Sequence, residues 1–236
     1  MKQGEENEGQ ANRHCHKQAD NRLKSSFAKR EHQAFLAADM QEIAISTHIG
    51  KAARPFLNEI ARLRISVFRE FPYLYEGSLE YEMEYLNDYV SSNNSLIVLA
   101  SLGSEIVGAS TGIPLGEADA DFREPVKAAG FDPGEFCYFG ESVLLPEFRG
   151  RGLGHRFFSE RESHATKLGL RRAGFFSVIR ADDHPLKPIS YRPHDTFWLK
   201  RGYTRQNAII ARFPWKQVGE SQDILHELVF WQRQLS

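Results

Sequence analysis

Cysteine is nearly missing from this chain: two residues among 236, Cys15 in a polar stretch and Cys137 in an apolar one. So small a number excludes a disulfide framework and points to a reducing compartment, the cytoplasm. Nowhere does the sequence approach the roughly 18 consecutive apolar residues that a membrane-spanning helix requires. The first thirty residues also lack the apolar block of a secretory leader, so neither a membrane partner nor export by that route is expected. An excess charge of either sign is lacking as well, with 30 basic residues against 31 acidic ones, which argues against nucleic acid as a partner. His14, Cys15 and His16 stand together, but no second ligand pair follows at zinc-site spacing, so no metal is expected.

What is present is enough apolar residue, 41%, to bury a sizeable core. Residues 1–38 are dominated by Glu, Asn, Gln, Lys, Arg and His and are read as a flexible polar tail. Residues 39–236 are read as one folded domain. Ile43 and Ile45 alternate with polar neighbours as in a strand. From Pro55, Phe56, Ile60, Leu63, Val67 and Phe71 recur every three or four residues, the mark of a helix with one buried face. A second such helix carries Leu79, Met83, Leu86 and Val90. Runs at 96–102 and 106–115 read as a hairpin turning at Gly103-Ser104. A helical insert at 118–129 leads to one strand over 136–145, closed by Pro146. Further along come a helix from Leu153 to about Gly169, a strand at 173–179, and a proline-rich loop from Arg180 to His194. A short helix before Gly202 and two last strands, 208–213 and 225–231, complete the chain.

The segment Arg149-Gly150-Arg151-Gly152-Leu153-Gly154 lies between a strand and a helix, where unpaired N–H groups and the positive end of the helix dipole face the turn. Such a turn can cradle a phosphate or diphosphate. Glycine matters there because a side chain would hold the anion off the amides and forbid positive φ. It is not a Walker A loop, because Gly154 is followed by His155 rather than Lys and Ser or Thr. Nor is it a dinucleotide fingerprint: counted from Gly150, His155 fills the last glycine position, and no carboxylate stands about twenty residues on. A plain tight turn with solvated arginines is the remaining alternative.

What fits is Arg-x-x-Gly-x-Gly after an apolar strand ending in Pro. With Val143-Leu144-Leu145-Pro146 before it, this stretch resembles the acetyl-CoA motif of the GNAT N-acetyltransferase superfamily, and the element order from Ile43 to Trp231 resembles that family too. The resemblance implies an α/β, three-layer fold: a mixed, mostly antiparallel sheet with a splayed strand pair and helices on both faces. It implies acetyl-CoA as co-substrate, held by main-chain groups of Leu144 and Leu145 and by Arg149, Gly150, Arg151, Gly152, Leu153, Gly154 and His155. An N–H near Leu144 would also face the thioester oxygen.

An acceptor amine must lose its proton before attack, and a general base is expected. Glu141, three residues before Leu144 in an otherwise apolar stretch, is the candidate; a strand glutamate paired with an arginine is the alternative. Tyr138 is the reserve, unless it is simply core. The family places a tyrosine four residues before the glycine of its last motif, and this chain has Trp198 there, against the cofactor arm or in the core. The thiolate then leaves unassisted or takes a proton from Tyr191, Tyr203 or water. The resemblance also implies that two loops border the acceptor side, offering Tyr73 and Tyr75 in one and Arg180 and His184 in the other. The expected partner is a small-molecule or protein amine, and the chain is expected to be a monomer or homodimer. An acyl-CoA-binding module without turnover is the alternative function.

Overall fold

The structure, a computed structural model, describes residues 42–235. The polar N-terminal tail, with the His14-Cys15-His16 cluster, lies outside the described residues. Strand β1 (Ala44–Ile49) pairs antiparallel with β2 (Leu96–Leu102), which forms a hairpin with β3 (Glu105–Pro114). Between β1 and β2 stand helices α1 (Leu57–Phe68) and α2 (Leu79–Ser91), the second capped by Ser78, whose hydroxyl accepts from the Tyr81 N–H. Pro55 belongs to a 3₁₀ turn over Gly50–Phe56 rather than to α1 itself, so the regular helix begins two residues later than expected. Proline is tolerated there because it has no N–H to give.

After β3 comes a short helix, α3 (Ala120–Ala128), then β4 (Phe136–Tyr138) and β5 (Ser142–Leu144). Helix α4 (Leu153–Lys167), strand β6 (Arg172–Val178), helix α5 (Asp195–Lys200) and the long hairpin β7 (Thr204–Lys216) and β8 (Asp223–Gln234) complete the fold. The sheet order is β1-β2-β3-β4-β6-β8-β7, with β5 paired to β3. Only the short β4–β6 pairing is parallel.

The central strands β2, β3, β4 and β6 are buried on both faces, which is why they read as continuous apolar runs, whereas the edge strands β1 and β7 are largely exposed. Successive side chains of a strand point to opposite sides. Accordingly Ile97 and Leu99 join Leu57, Ile60 and Leu86 of α1 and α2 in one core, while Leu96, Val98 and Ala100 meet Leu153 and Phe157 of α4 in another. A third cluster, with Phe139, Phe158, Phe175, Tyr203 and Trp231, fills the space between α4 and the β6–β8 end.

The single strand expected over 136–145 is broken, and the break builds the site. Tyr138 pairs with Ile113 of β3, and Ser142 pairs with Ser110. Two residues of β3, Thr111 and Gly112, therefore oppose three of the partner strand, 139 to 141, which is a β-bulge. The Phe139 N–H still donates to the Gly174 carbonyl of β6 (2.8 Å), whereas the Glu141 carbonyl accepts from the Thr111 N–H (3.2 Å). From there β5 stays with β3 alone, and a wedge opens on its far edge, beside β6. This is the splayed pair, with helices on both faces, that the sequence leads one to expect. Among the described residues, no helix is long and apolar enough to cross a membrane.

Candidate active site

At the mouth of the wedge lies the glycine-rich turn. Gly150 and Gly152 have φ of +76° and +80°, the left-handed region where an L side chain is strained. Gly152 is the N-cap of α4 and offers no side chain to close the helix end, and the first turn carries no acidic residue. The first helical carbonyl bonds made there are from His155 and Arg156 to Gly152. Among the described residues, the amides of Arg151 to Gly154 find no main-chain acceptor. A Cβ placed on Gly150 or Gly152 would meet nothing within 4 Å, so the space beside both glycines is open. Converging N–H groups, a helix dipole and open space form an anion cradle that fits a diphosphate.

Register decides which β5 groups face the wedge. The Leu145 N–H donates to Val107 and the Glu141 carbonyl accepts from Thr111, so the intervening Leu144 turns its own N–H and C=O the other way, into the wedge. The Leu144 carbonyl there accepts from Arg149 Nε (3.1 Å), whose Nη1 also pairs with Glu70 (2.8 Å). Leu145 is different: its N–H is used by β3 and its carbonyl by the Phe148 N–H. Of the two leucines expected to offer main-chain groups, only Leu144 turns them toward the wedge.

Behind the bulge sits a buried charge cluster. Arg64 of α1 lies between Glu82 of α2 and Glu141, with Nε bonded to Glu82 and Nη1 2.6 Å from Glu141 Oε2. The three side chains are 8%, 0% and 1% exposed. The guanidinium also stands over the Tyr85 ring (4.2 Å) and the Phe68 ring (5.0 Å). Burial alone would pull Arg64 down, but Glu141, Tyr85 and Glu82 outweigh it and hold it firmly protonated. Tyr85 Oη donates to Glu141 Oε2 (3.2 Å) and lies 3.0 Å from Tyr89 Oη. Burial first, then the Glu141 charge, push both phenols up, so both remain proton donors. Glu141 Oε1 has no partner among the described residues, while Glu82 is approached by the Tyr75 hydroxyl.

From the opposite face Arg161 of α4, itself 1% exposed, reaches through the bulge. It donates to the carbonyls of Thr111 (3.2 Å) and Glu141 (3.0 Å) and to Ser142 Oγ (2.7 Å), and it stacks on Phe139 (4.2 Å). Burial draws its pKa down to about 10, still protonated near neutrality. Arg161 therefore satisfies the Thr111 carbonyl, which the broken strand leaves without a ladder partner, and adds a second donor to the Glu141 carbonyl.

The acetyltransferase (GNAT) family model matches residues 60–187, more than half of the chain. The chain belongs to the GNAT acetyltransferase family. Solved structures agree on the fold: an acetyltransferase from Thermus thermophilus is 18% identical, with a TM-score of 0.50 over 83% of this chain and 100% of that one. An N-acetyltransferase from Staphylococcus aureus is 12% identical, with a TM-score of 0.51 over 82% and 99%. A candidate acetyltransferase from Salmonella typhimurium, solved with its cofactor acetyl-CoA, is 13% identical, with a TM-score of 0.50 over 82% and 95%. No curated protein matches the chain by sequence. As a GNAT family member the chain is an acetyl-CoA-dependent N-acetyltransferase.

Within this GNAT domain the remaining sequence candidates fall into two groups. Tyr73 and Tyr75 do reach the charge cluster. Tyr73 is pushed up to about 12 by burial, which outweighs the lowering by Arg64, and Glu141 adds to the rise; Tyr75 is raised by burial and then by Glu82. His155 Nδ1 instead accepts from Arg201 (3.2 Å), and its ring meets Phe197 (4.8 Å). Arg151 lies over Phe148 (5.5 Å). Trp198 packs on Phe175 (5.0 Å) and Trp231 (5.1 Å). Tyr138 sits in the core, 3% exposed, against Phe122. Arg180, expected to face substrate, is a brace: it donates to the carbonyls of Pro72 (2.7 Å) and Tyr73 (2.8 Å) and to His226 Nδ1 (3.2 Å). His184 accepts from the Leu186 N–H (3.2 Å) and lies against Phe71 (5.6 Å). Of the alternative proton donors, Tyr203 is fully buried, with its hydroxyl on Glu162 (2.9 Å).

Sequence reasoning missed Arg64, Glu82, Tyr85 and Arg161. The signal was there in part: Arg64 falls four residues after Ile60 and Glu82 four before Leu86, each on the apolar face of its helix. A charge at a core position of an amphipathic helix calls for a buried partner.

Proposed function

We propose that this protein transfers the acetyl group of acetyl-CoA to a primary amine of a small molecule or a protein, with Glu141 as the general base. The observation that carries this reading is the Glu141 carboxylate: one oxygen is bound by Arg64 and Tyr85, and the other has no donor at the point where the sheet splays. The open amides of the glycine turn would hold the diphosphate, and the Leu144 main chain would hold the pantetheine arm once Arg149 releases its carbonyl. When bound, acetyl-CoA supplies the thioester. Glu141 Oε1 takes one proton from the acceptor ammonium, the freed nitrogen lone pair forms the N–C bond as the C–S bond breaks, and the second proton, shed as the nitrogen becomes an amide, passes to water or to the departing sulfur. The Leu144 N–H donates to the carbonyl oxygen as charge grows on it. The sulfur leaves as a thiolate, which a thiol of pKa about 8.5 permits; water or Tyr191 returns the proton.

The test is free-thiol release with a panel of amines, for the native protein and for Glu141→Gln. About a hundredfold or greater loss of kcat is expected, with acetyl-CoA affinity changed less than about threefold. Unchanged turnover in the variant would remove Glu141 from the mechanism. The burial of Glu141 and its pairing with Arg64 also favour a second reading, an acyl-CoA-binding module. Tight acetyl-CoA binding without thiol release for any acceptor would select it. We place the domain at 39–236 and its action in the cytoplasm, in keeping with a free, buried Cys137.

A further inference from the structure

We infer that Arg180 is the positioning residue of the acceptor side and that His226 governs it: while the His226 ring is neutral, Arg180 clamps the 71–77 loop beside Glu141, and protonation of the ring releases that loop. This rests on the transferase reading above only in taking Glu141 to mark the acceptor side.

The clamp reaches the loop from outside. Among the described residues, the Pro72 carbonyl accepts from Arg180 Nε alone (2.7 Å), and the Tyr73 carbonyl accepts from Arg180 Nη2 (2.8 Å) and Trp215 Nε1 (3.3 Å). Two further bonds close the turn around them, from the Leu74 N–H to the Glu70 carbonyl (3.0 Å) and from the Tyr75 N–H to the Phe68 carbonyl (2.8 Å). Beyond the turn, the loop is sewn to the end of β7 by Glu76 to Lys216 (2.8 Å) and Val218 to Leu74 (2.7 Å). Loss of Arg180 would therefore free Pro72 and Tyr73 first, a local opening that leaves the rest of the fold in place. Tyr73 is the residue that carries this to the site. Its phenol is raised chiefly by burial, and Arg64 and Glu141 both act on it, so it stands within reach of the base.

Arg180 in turn is seated on one imidazole. Its Nη1 donates to His226 Nδ1 (3.2 Å), and His226 Nε2 lies 3.3 Å from the Trp215 carbonyl. A guanidinium only donates and a carbonyl only accepts, so the ring is neutral, with its proton on Nε2 and Nδ1 bare. A second proton must sit on Nδ1. It would turn the one acceptor facing Nη1 into a donor and set two cations side by side. The imidazole is 4% exposed and stacked on Trp215 (3.7 Å), so it has no way to swing out to water, and Arg180 is the partner that yields.

Among the described residues, no carboxylate faces the ring to soften that conflict. Phe213 stands across from it on β7, and Ile224 and Leu228 flank it on its own face of β8. Glu227 points to the opposite face, where Arg212 holds it (2.7 Å). From the loop, Tyr73 meets Trp215 and brings a phenol that burial pushes up to about 12 and keeps neutral. Burial and then Arg180 hold His226 below its usual 6.5, so release sets in as pH falls below that value.

The experiment measures hydrogen exchange of the 73–77 amides at about pH 7.5 and about pH 5, corrected for the intrinsic pH dependence of exchange. The native protein should lose protection there by about threefold or more in acid. His226→Asn and His226→Gln, whose amide oxygen can still accept from Arg180 but whose side chain takes no charge, should keep it. Arg180→Met, checked by its melting curve, should be open at both pH values. In thiol release, the acceptor KM of the native protein should rise in acid about threefold or more relative to the two amide variants. The kcat ratio between the proteins, and acetyl-CoA affinity by calorimetry, should not change. Protonation of the amine affects every protein alike, so proteins are compared at each pH. Equal protection of the native loop at both pH values, or the same acid loss in the amide variants, would overturn the inference. Absence of thiol release from all of them would count against the transferase reading and leave the exchange data to decide this one.

Discussion

Replacing Arg64 with Met tests whether the buried cluster is built as described. Methionine keeps much of the length and apolar contact of the arginine stem but removes the charge. Glu82 and Glu141, 0% and 1% exposed in their side chains, would then face each other with no counter-charge. Breaking a buried ion pair by removing one partner costs about 3–5 kcal/mol. Loss of the two aromatic contacts at 4.2 and 5.0 Å adds on the order of 1 kcal/mol. For a domain of this size each kcal/mol moves Tm by roughly 2–4 °C, so a fall of roughly 8–24 °C is expected. The assay is thermal unfolding of the native protein, Arg64→Met, Glu82→Gln and the double variant. In the double variant only one carboxylate is stranded, so the two substitutions should be less than additive, with a coupling of about 1–3 kcal/mol. A fall in Tm below about 3 °C for Arg64→Met, or strict additivity, would refute the assignment of Arg64 as the cation both glutamates depend on.

Gly152→Ala should cost only about 1 kcal/mol of stability, the strain of an alanine at φ +80° with no steric neighbour, yet weaken acetyl-CoA binding by about tenfold or more in calorimetry, because the methyl group stands in the anion cradle. His226 is held below its usual 6.5 by burial and then by Arg180, and it stacks on Trp215 at 3.7 Å. The unfolded chain then binds the proton more readily, so this contribution to stability is present above about pH 6.5 and is lost as pH falls through the lower folded value. Denaturant titrations between about pH 8 and 5 should show a shallower decline for His226→Asn, whose side-chain oxygen can still accept from Arg180. Tyr203→Phe should lower stability by about 1–2 kcal/mol through the Glu162 hydrogen bond while leaving kcat unchanged. A large loss of kcat would instead make Tyr203 the proton donor to the thiolate.

Local chemistry was legible in the sequence. The glycine turn could be read because what it needs, positive φ at Gly150 and Gly152 and a helix start with bare amides, depends on residues adjacent in the chain. The helix faces around Ile60 and Leu86 and the doubly apolar strands could be read because periodicity is a property of each segment by itself. From that turn and the order of elements the family resemblance followed, and the family model now supports it.

Tertiary structure alone decided what the carboxylates do. Arg64, Glu82 and Glu141 come from two helices and a bulge, 18 and 59 residues apart in sequence, and no local pattern announces that they share one buried space. The bulge itself arises from a mismatch between two strands, two residues of β3 against three, and so belongs to neither strand's sequence. Arg180 illustrates the same limit from the other side. As a sequence feature it was a loop cation free for substrate, whereas in the fold its three nitrogens find carbonyls and a histidine from elements 46 to 108 residues away. A charged side chain's role is set by the partners that burial brings to it, and those partners are chosen by the packing of the whole chain.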